Sequence, residues 1–231
     1  MTQAPGDPRW PKLLSLSVHE FRTPMTVVAG YIRMLLKDRA GPVTDQQRRL
    51  LEEAEKSCAR LSALLAEMSE LGNLEGGTAT FNRAPIDLRA LLTDTVASLP
   101  PLPDREIAVT LQGGDGAIPI TGDAVRLKSA FTSIINALRR ELVTENAIVV
   151  RAMIREQDGR RIARIAIGDV DRVDAGAAAE VSTLTPFDEW RGGVGLSLAI
   201  ARRVINAHGG RAWSPADGAK AAAVVELPVE A

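Results

Sequence analysis

Between Leu14 and Leu35 the apolar residues Leu14, Val18, Phe21, Met25, Val28, Ile32 and Leu35 are spaced alternately by four and three. That spacing predicts an amphipathic helix with one narrow seam. A break at Gly41-Pro42-Val43 follows, and Thr44 with Gln47 predicts a capping box that opens a second helix. Its seam runs through Leu51, Ala54, Cys58, Leu61, Leu65 and Met68, with Gly72 read as its end. Two helices and a short loop predict an antiparallel hairpin. One hairpin cannot cover two seams, so a second copy is expected to complete a four-helix bundle, a homodimer. The alternative is a monomeric hairpin packed on the rest of the chain.

The stretch 71–85 is rich in Gly, Asn and Pro and reads as a linker. Beyond it the pattern changes. A helix is expected over 87–98, a strand over 106–111, and a long helix over 122–142 capped by Asp123. The β-branched runs AIVVRAMI and RRIARIAI flank an Asp158-Gly159 hairpin signal. LSLAIARRVINAH predicts a further helix ending at Gly209-Gly210, and AAAVVELPV a last strand. The fold expected is α+β. A helical hairpin domain (1–75) precedes an α/β sandwich domain (76–231) with helices on one face of its sheet.

Composition narrows the setting. The chain has 231 residues, 45% of them hydrophobic, which suffices for real cores, and a formal net charge of -1. Near neutrality offers no argument for nucleic acid or an anionic membrane surface. The single cysteine, Cys58, excludes an internal disulfide and fits a reducing compartment. No apolar run approaches the roughly 18–20 residues needed to span a bilayer. No nucleic acid, no membrane segment and a cytoplasmic location are expected.

Only two histidines occur. His19 sits in SVHEFRTP on the first helix, just off the seam, with Glu20 adjacent, Thr23 four residues on and Pro24 closing the run. Glu20 is placed to accept the imidazole Nδ1–H, which would leave Nε2 as a nucleophile. Pro24 is expected to bend the helix. A surface histidine on a solvated face is the plain alternative. His208 lies beside glycines that read as a helix stop.

The run His19, Glu20, Phe21, Arg22, Thr23, Pro24 resembles the phosphoacceptor box of bacterial two-component sensor histidine kinases. The second half carries the same resemblance. GGVGLSLAIARRVINAHGG (192–210) is similar to that family's second glycine box, SIINALRR to its asparagine box, IAIGDVD to the first glycine box, and TPF (185–187) to its phenylalanine box. The resemblance implies a Bergerat-type ATP-binding domain using ATP and Mg²⁺. It further implies that His19 takes the γ-phosphoryl group, Glu20 acts as general base, and Thr23 positions water for dephosphorylation of a response-regulator receiver domain. On the same match Asn136 would coordinate Mg²⁺ and Arg139 would stand in for a phosphate-contacting lysine. Asp169 would bond adenine, and Gly193, Gly195 and Leu196 would border the phosphates.

The match departs at DVDRV (169–173), where the family's glycines are missing, at Thr132, where it has a second asparagine, and in the short segment 188–191 before Gly192. The implied function is ATP-dependent autophosphorylation of His19 and transfer to an aspartate of a response regulator. The alternative is a histidine phosphotransferase or response-regulator phosphatase whose nucleotide domain binds ATP poorly or not at all.

Overall fold

The computed structural model describes residues 9–102, 105–157, 159–215 and 222–230. The chain forms two compact units, Met1–Ala79 and Thr80–Ala231.

In the first unit α1 (Trp10–Leu36) and α2 (Asp45–Glu75) form a hairpin. The capping box at Thr44 is present in full. Gln47 N–H donates to Thr44 Oγ1 at 3.3 Å, and Thr44 N–H to Gln47 Oε1 at 2.9 Å. Leu14 and Val18 of α1 are buried, as are Cys58, Leu65 and Gly72 of α2. Gly72 does not end α2. It lies inside the helix, and α2 stops at Gly76 and Gly77, the latter at φ 66°. The reason is packing: Gly72 faces Leu14 and the carbonyl of Pro11, so its small size serves a close helix contact. Helix α1 runs unbroken through Pro24.

The predicted seam is only half covered. Phe21 is 58% and Val28 47% exposed, and Trp10, Leu13, Leu16, Tyr31 and Met34 are also exposed. A single hairpin therefore leaves one apolar flank of α1 in water.

The second unit opens with β1 (Ala84–Asp87), α3 (Leu88–Ala97), β2 (Ala108–Gln112), β3 (Pro119–Gly122) and α4 (Ala124–Glu141). β4 (Ala147–Gln157), β5 (Arg160–Gly168), α5 (Val170–Ala178), β6 (Leu184–Pro186), α6 (Ser197–Ala207), β7 (Arg211–Pro215) and β8 (Ala222–Pro228) follow. Six strands form one sheet in the order β2-β4-β5-β8-β7-β6, with β2 parallel to β4 and the other pairs antiparallel. β1 and β3 make a separate antiparallel ribbon. The β4–β5 hairpin pairs Gln157 with Arg160, and Gly159 adopts φ 71°, as its turn requires. Asp158 and Ala221, parts of the expected turn and last strand, lie outside the described residues.

Asp87 and Asp123 cap α3 and α4 by accepting N–H bonds from Arg89 and Arg126. The apolar face of α4, with Leu127, Phe131, Ile134, Ile135 and Leu138 all within 1% exposure, anchors the core. Burying each such side chain contributes about 1.5–3 kcal/mol.

Helices cover both faces of the sheet, not one. Successive strand residues point to opposite sides. On β8, Val224 meets Gly176 of α5, whereas Leu227 meets the Gly210 turn beside Ile205 of α6. Helix α5 thus lies on the face opposite α6, its Val173 and Ala177 packed on Val149 and Ala166. Its position is fixed further by ion pairing of Arg151 with Asp174, and by a bond from Arg164 Nη1 to the Ala179 carbonyl. Arg164 is itself buried and paired with Glu226 at 2.6 Å.

Candidate functional site

On α1 the imidazole of His19 and the carboxylate of Glu20 are 75% and 72% exposed, with Nδ1 3.4 Å from Oε1. Thr23 is exposed one turn further along. The three side chains stand clear of the seam because Val18, not His19, points at α2. The arrangement leaves Nε2 open to a reactant from solvent while Glu20 engages the other ring nitrogen.

In the second unit the expected nucleotide residues come from α4, the end of β5 and the turn before α6. Asn136 and Arg139 share a side of α4, and Arg139 Nη1 donates to Asn136 Oδ1 at 3.0 Å and to the Pro100 carbonyl at 2.8 Å. Arg139 is only 5% exposed, and burial lowers its pKa from the ordinary guanidinium value. Its placement departs from the phosphate contact expected of it: the guanidinium is turned into the domain, bonded there through Nη1 while its buried Nε has no hydrogen-bond partner. The reason lies in register, since Arg139 falls on the core side of α4 between Ile135 and Leu142, both buried.

Asp169 is 4% exposed and caps α5. Its Oδ1 accepts the Arg172 N–H at 2.9 Å, and its Oδ2 lies 3.0 Å from Arg172 Nη1. With no glycine after Asp169, the backbone enters a helix at once, and one oxygen of the carboxylate, Oδ1, is taken by that helix while the buried Oδ2 accepts no hydrogen bond.

The glycine turn fares differently. Gly192, Gly193 and Gly195 have φ of 67°, 58° and 66°, in the left-handed region. Gly192 rests on Ala137 of α4, where an added Cβ would fall 2.8 Å from the Ala137 backbone. Gly193 faces open space. The turn is clamped to α4 by Arg191, which pairs with Glu141 at 2.6 Å and also donates to the Ala222 carbonyl at 2.9 Å. Leu196, the residue before α6, gives that helix no side-chain cap, so its first N–H groups are left for other acceptors. Phe187 is buried, and Trp190 is 75% exposed.

For a magnesium-bound nucleoside triphosphate, these residues fit best at the phosphate end. The open glycine turn and uncapped helix start suit phosphates. At the base end Asp169 Oδ1 already caps α5, while its buried Oδ2, 3.0 Å from Arg172 Nη1, accepts no hydrogen bond; Asn136 Oδ1 already accepts from a cation. Sequence reasoning missed the Arg191–Glu141 clamp, which joins residues 50 positions apart. It also missed α5, although Val170, Val173 and Ala177 keep a helical spacing behind a capping aspartate.

Residues 12–77 match the His Kinase A (phospho-acceptor) domain family. The chain is 30% identical over 223 residues to the sensor histidine kinase GacS of Pseudomonas protegens, covering 91% of this chain and 24% of that protein. It is 26% identical over 205 residues to the circadian input-output histidine kinase CikA of Synechococcus elongatus, covering 86% and 27% respectively. The crystal structure of full-length ShkA in complex with AMPPNP aligns with a TM-score of 0.67 at 22% identity, over 95% of this chain and 46% of that one. The chain thus spans about a quarter of the length of these curated relatives. The hairpin thus matches a phospho-acceptor domain family, and nearly the whole chain is similar in sequence to sensor histidine kinases and shares a fold with one of known structure. Among the described residues, no helix is long and apolar enough to cross a membrane.

Proposed function

We propose that this chain is the working core of a protein-histidine kinase: a dimer in which His19 is phosphorylated from ATP and passes the group to an aspartate of a response-regulator receiver domain. The observation that carries this is the exposed His19, its Nδ1 beside Glu20, on a hairpin that matches the phospho-acceptor family. ATP supplies the phosphoryl group. His19 Nε2 would attack the γ-phosphorus as its bond to the ADP oxygen breaks and ADP leaves, and Glu20 would take the Nδ1 proton as general base. Thr23, one turn along, orients water toward the partner's aspartyl phosphate. In the second unit Gly193, Gly195 and Leu196 would border the phosphates, and Asn136 would have to release the Arg139 guanidinium from its Oδ1 before that oxygen could serve Mg²⁺. The exposed apolar flank of α1 is the dimer face. Such a core works in the cytoplasm, where ATP and receiver domains are found.

Incubation with γ-labelled ATP and Mg²⁺ tests the reading: label should enter the chain and be absent from His19→Ala. A second reading follows from the helix that begins directly after Asp169, where Oδ1 of that residue is spent as its cap. If label enters His19 only from a phosphorylated regulator and never from ATP, the chain is a phosphotransferase or phosphatase.

A further inference from the structure

The kinase reading needs a cation at the phosphates, and Arg139, at the expected position, is buried elsewhere. The last turn of α4 and the glycine turn hold three arginines among the described residues. Arg139 is committed to Pro100 and Asn136. Arg191 is neutralised by Glu141, its side chain 7% exposed. Arg140 is exposed, and its Nη1 donates to the Gly193 carbonyl at 3.1 Å.

Position on the helix explains the difference. Arg140 follows Asn136 by four residues and so shares its face. Ala137, one residue after Asn136, is where Gly192 rests, and Glu141, one after Arg140, is where Arg191 pairs. The side of α4 that meets the glycine turn is therefore 136–137 and 140–141. Arg140 stands at the mouth of that contact, beside the unfilled space at Gly193, with its charge uncompensated by any described carboxylate.

We infer that Arg140, not Arg139, is the phosphate-binding cation of this domain, reaching the phosphates of the nucleotide bound at the Gly193–Gly195 turn. The inference rests on the nucleotide reading above. The carbonyl of Gly193 holds the guanidinium at the rim, and exchanging that neutral acceptor for a phosphate oxygen strengthens the bond. Arg139 is a structural residue that links α4 to the Pro100 segment.

Calorimetric titration of the full chain with Mg·ATP and, separately, with adenosine tests this. Arg140→Ala should weaken Mg·ATP binding about ten- to hundredfold, the loss of one charge-assisted bond. It should leave adenosine binding and the melting temperature unchanged, and Arg140→Lys should recover most of the affinity. Arg139→Ala should lower the melting temperature. If Arg140→Ala binds Mg·ATP as tightly as the parent chain, the assignment is overturned and the nucleotide reading stands. If the parent chain binds neither ligand at millimolar concentration, both fall.

Discussion

The backbone N–H of Asp123 donates to Nε2 of His208 at 2.9 Å, joining the first residue of α4's cap to the last turn of α6 across 85 positions. The other ring nitrogen, Nδ1, donates to the Val204 carbonyl at 2.7 Å, so this histidine is neutral with its proton on Nδ1. Phe81 packs edge-on against the ring at 5.4 Å, and Arg83 donates to the neighbouring Ala207 carbonyl. Asn82 N–H caps Asp123 Oδ2 at 2.9 Å. The segment entering the second unit is thereby fastened to two helices at once.

This bond makes stability depend on pH. Burial lowers the His208 pKa from 6.5, and the Arg83 and Arg126 charges lower it further, against the raising effects of the Val204 bond and of Asp123. The unfolded chain therefore binds the proton more readily than the folded one, and stability rises with pH. It should be flat well above pH 6.5 and fall as pH drops through that value toward the lower folded pKa. Urea midpoints at steps between about pH 8 and pH 5.5 should show that slope, reduced in His208→Gln. Identical slopes in both proteins would rule out His208 as the source.

Gly192→Ala should destabilise the second unit by about 2–4 kcal/mol, combining a left-handed backbone with overpacking. The added methyl would meet Ala137 at 2.8 Å on backbone and side-chain atoms. Gly193→Ala pays only the conformational part, because nothing lies within 4 Å. Equal melting temperatures for the two variants would refute the packing account of Gly192.

Tyr31→Lys combined with Phe21→Lys should convert a dimeric full chain to monomer in sedimentation equilibrium. Both residues are more than half exposed in one protomer, and two buried lysines per protomer are costly at an apolar interface. A parent chain that sediments as a monomer removes the basis of the bundle.

Thr23→Ala should leave phosphorylation of His19 largely intact and slow loss of phosphate from the regulator's aspartate. Glu20→Gln should do the opposite, cutting phosphorylation of His19 by roughly a hundredfold or more, the usual contribution of a positioned base. A parallel loss of both activities in Thr23→Ala would reduce that residue to a structural one.

The phospho-acceptor side was legible because it is local. A helix period, a capping box and a six-residue motif place His19, Glu20 and Thr23 without any long-range information. Strands β4, β5 and β8 were equally plain from β-branched runs. The β1–β3 ribbon was not, since Pro85 and Pro119 break the strand pattern and its pairing joins residues 34 or more positions apart except at its tight end, Asp87 with Pro119. The motifs singled out Asp169 and Arg139 but said nothing of their orientation. Which way a side chain turns depends on what the neighbouring turn of helix buries, and for Arg139 that is decided by Pro100.

The joint between β5 and α5 has a last consequence. Strand β5 ends at Gly168 and α5 begins at Val170, leaving Asp169 as the sole connecting residue. A hinge needs several residues to absorb a change of direction, and here there is one, buried and hydrogen-bonded. Helix α5 cannot swing as a flap. Its amides should exchange with deuterium in step with those of the central strand, as one cooperative block, rather than with the early kinetics of a lid.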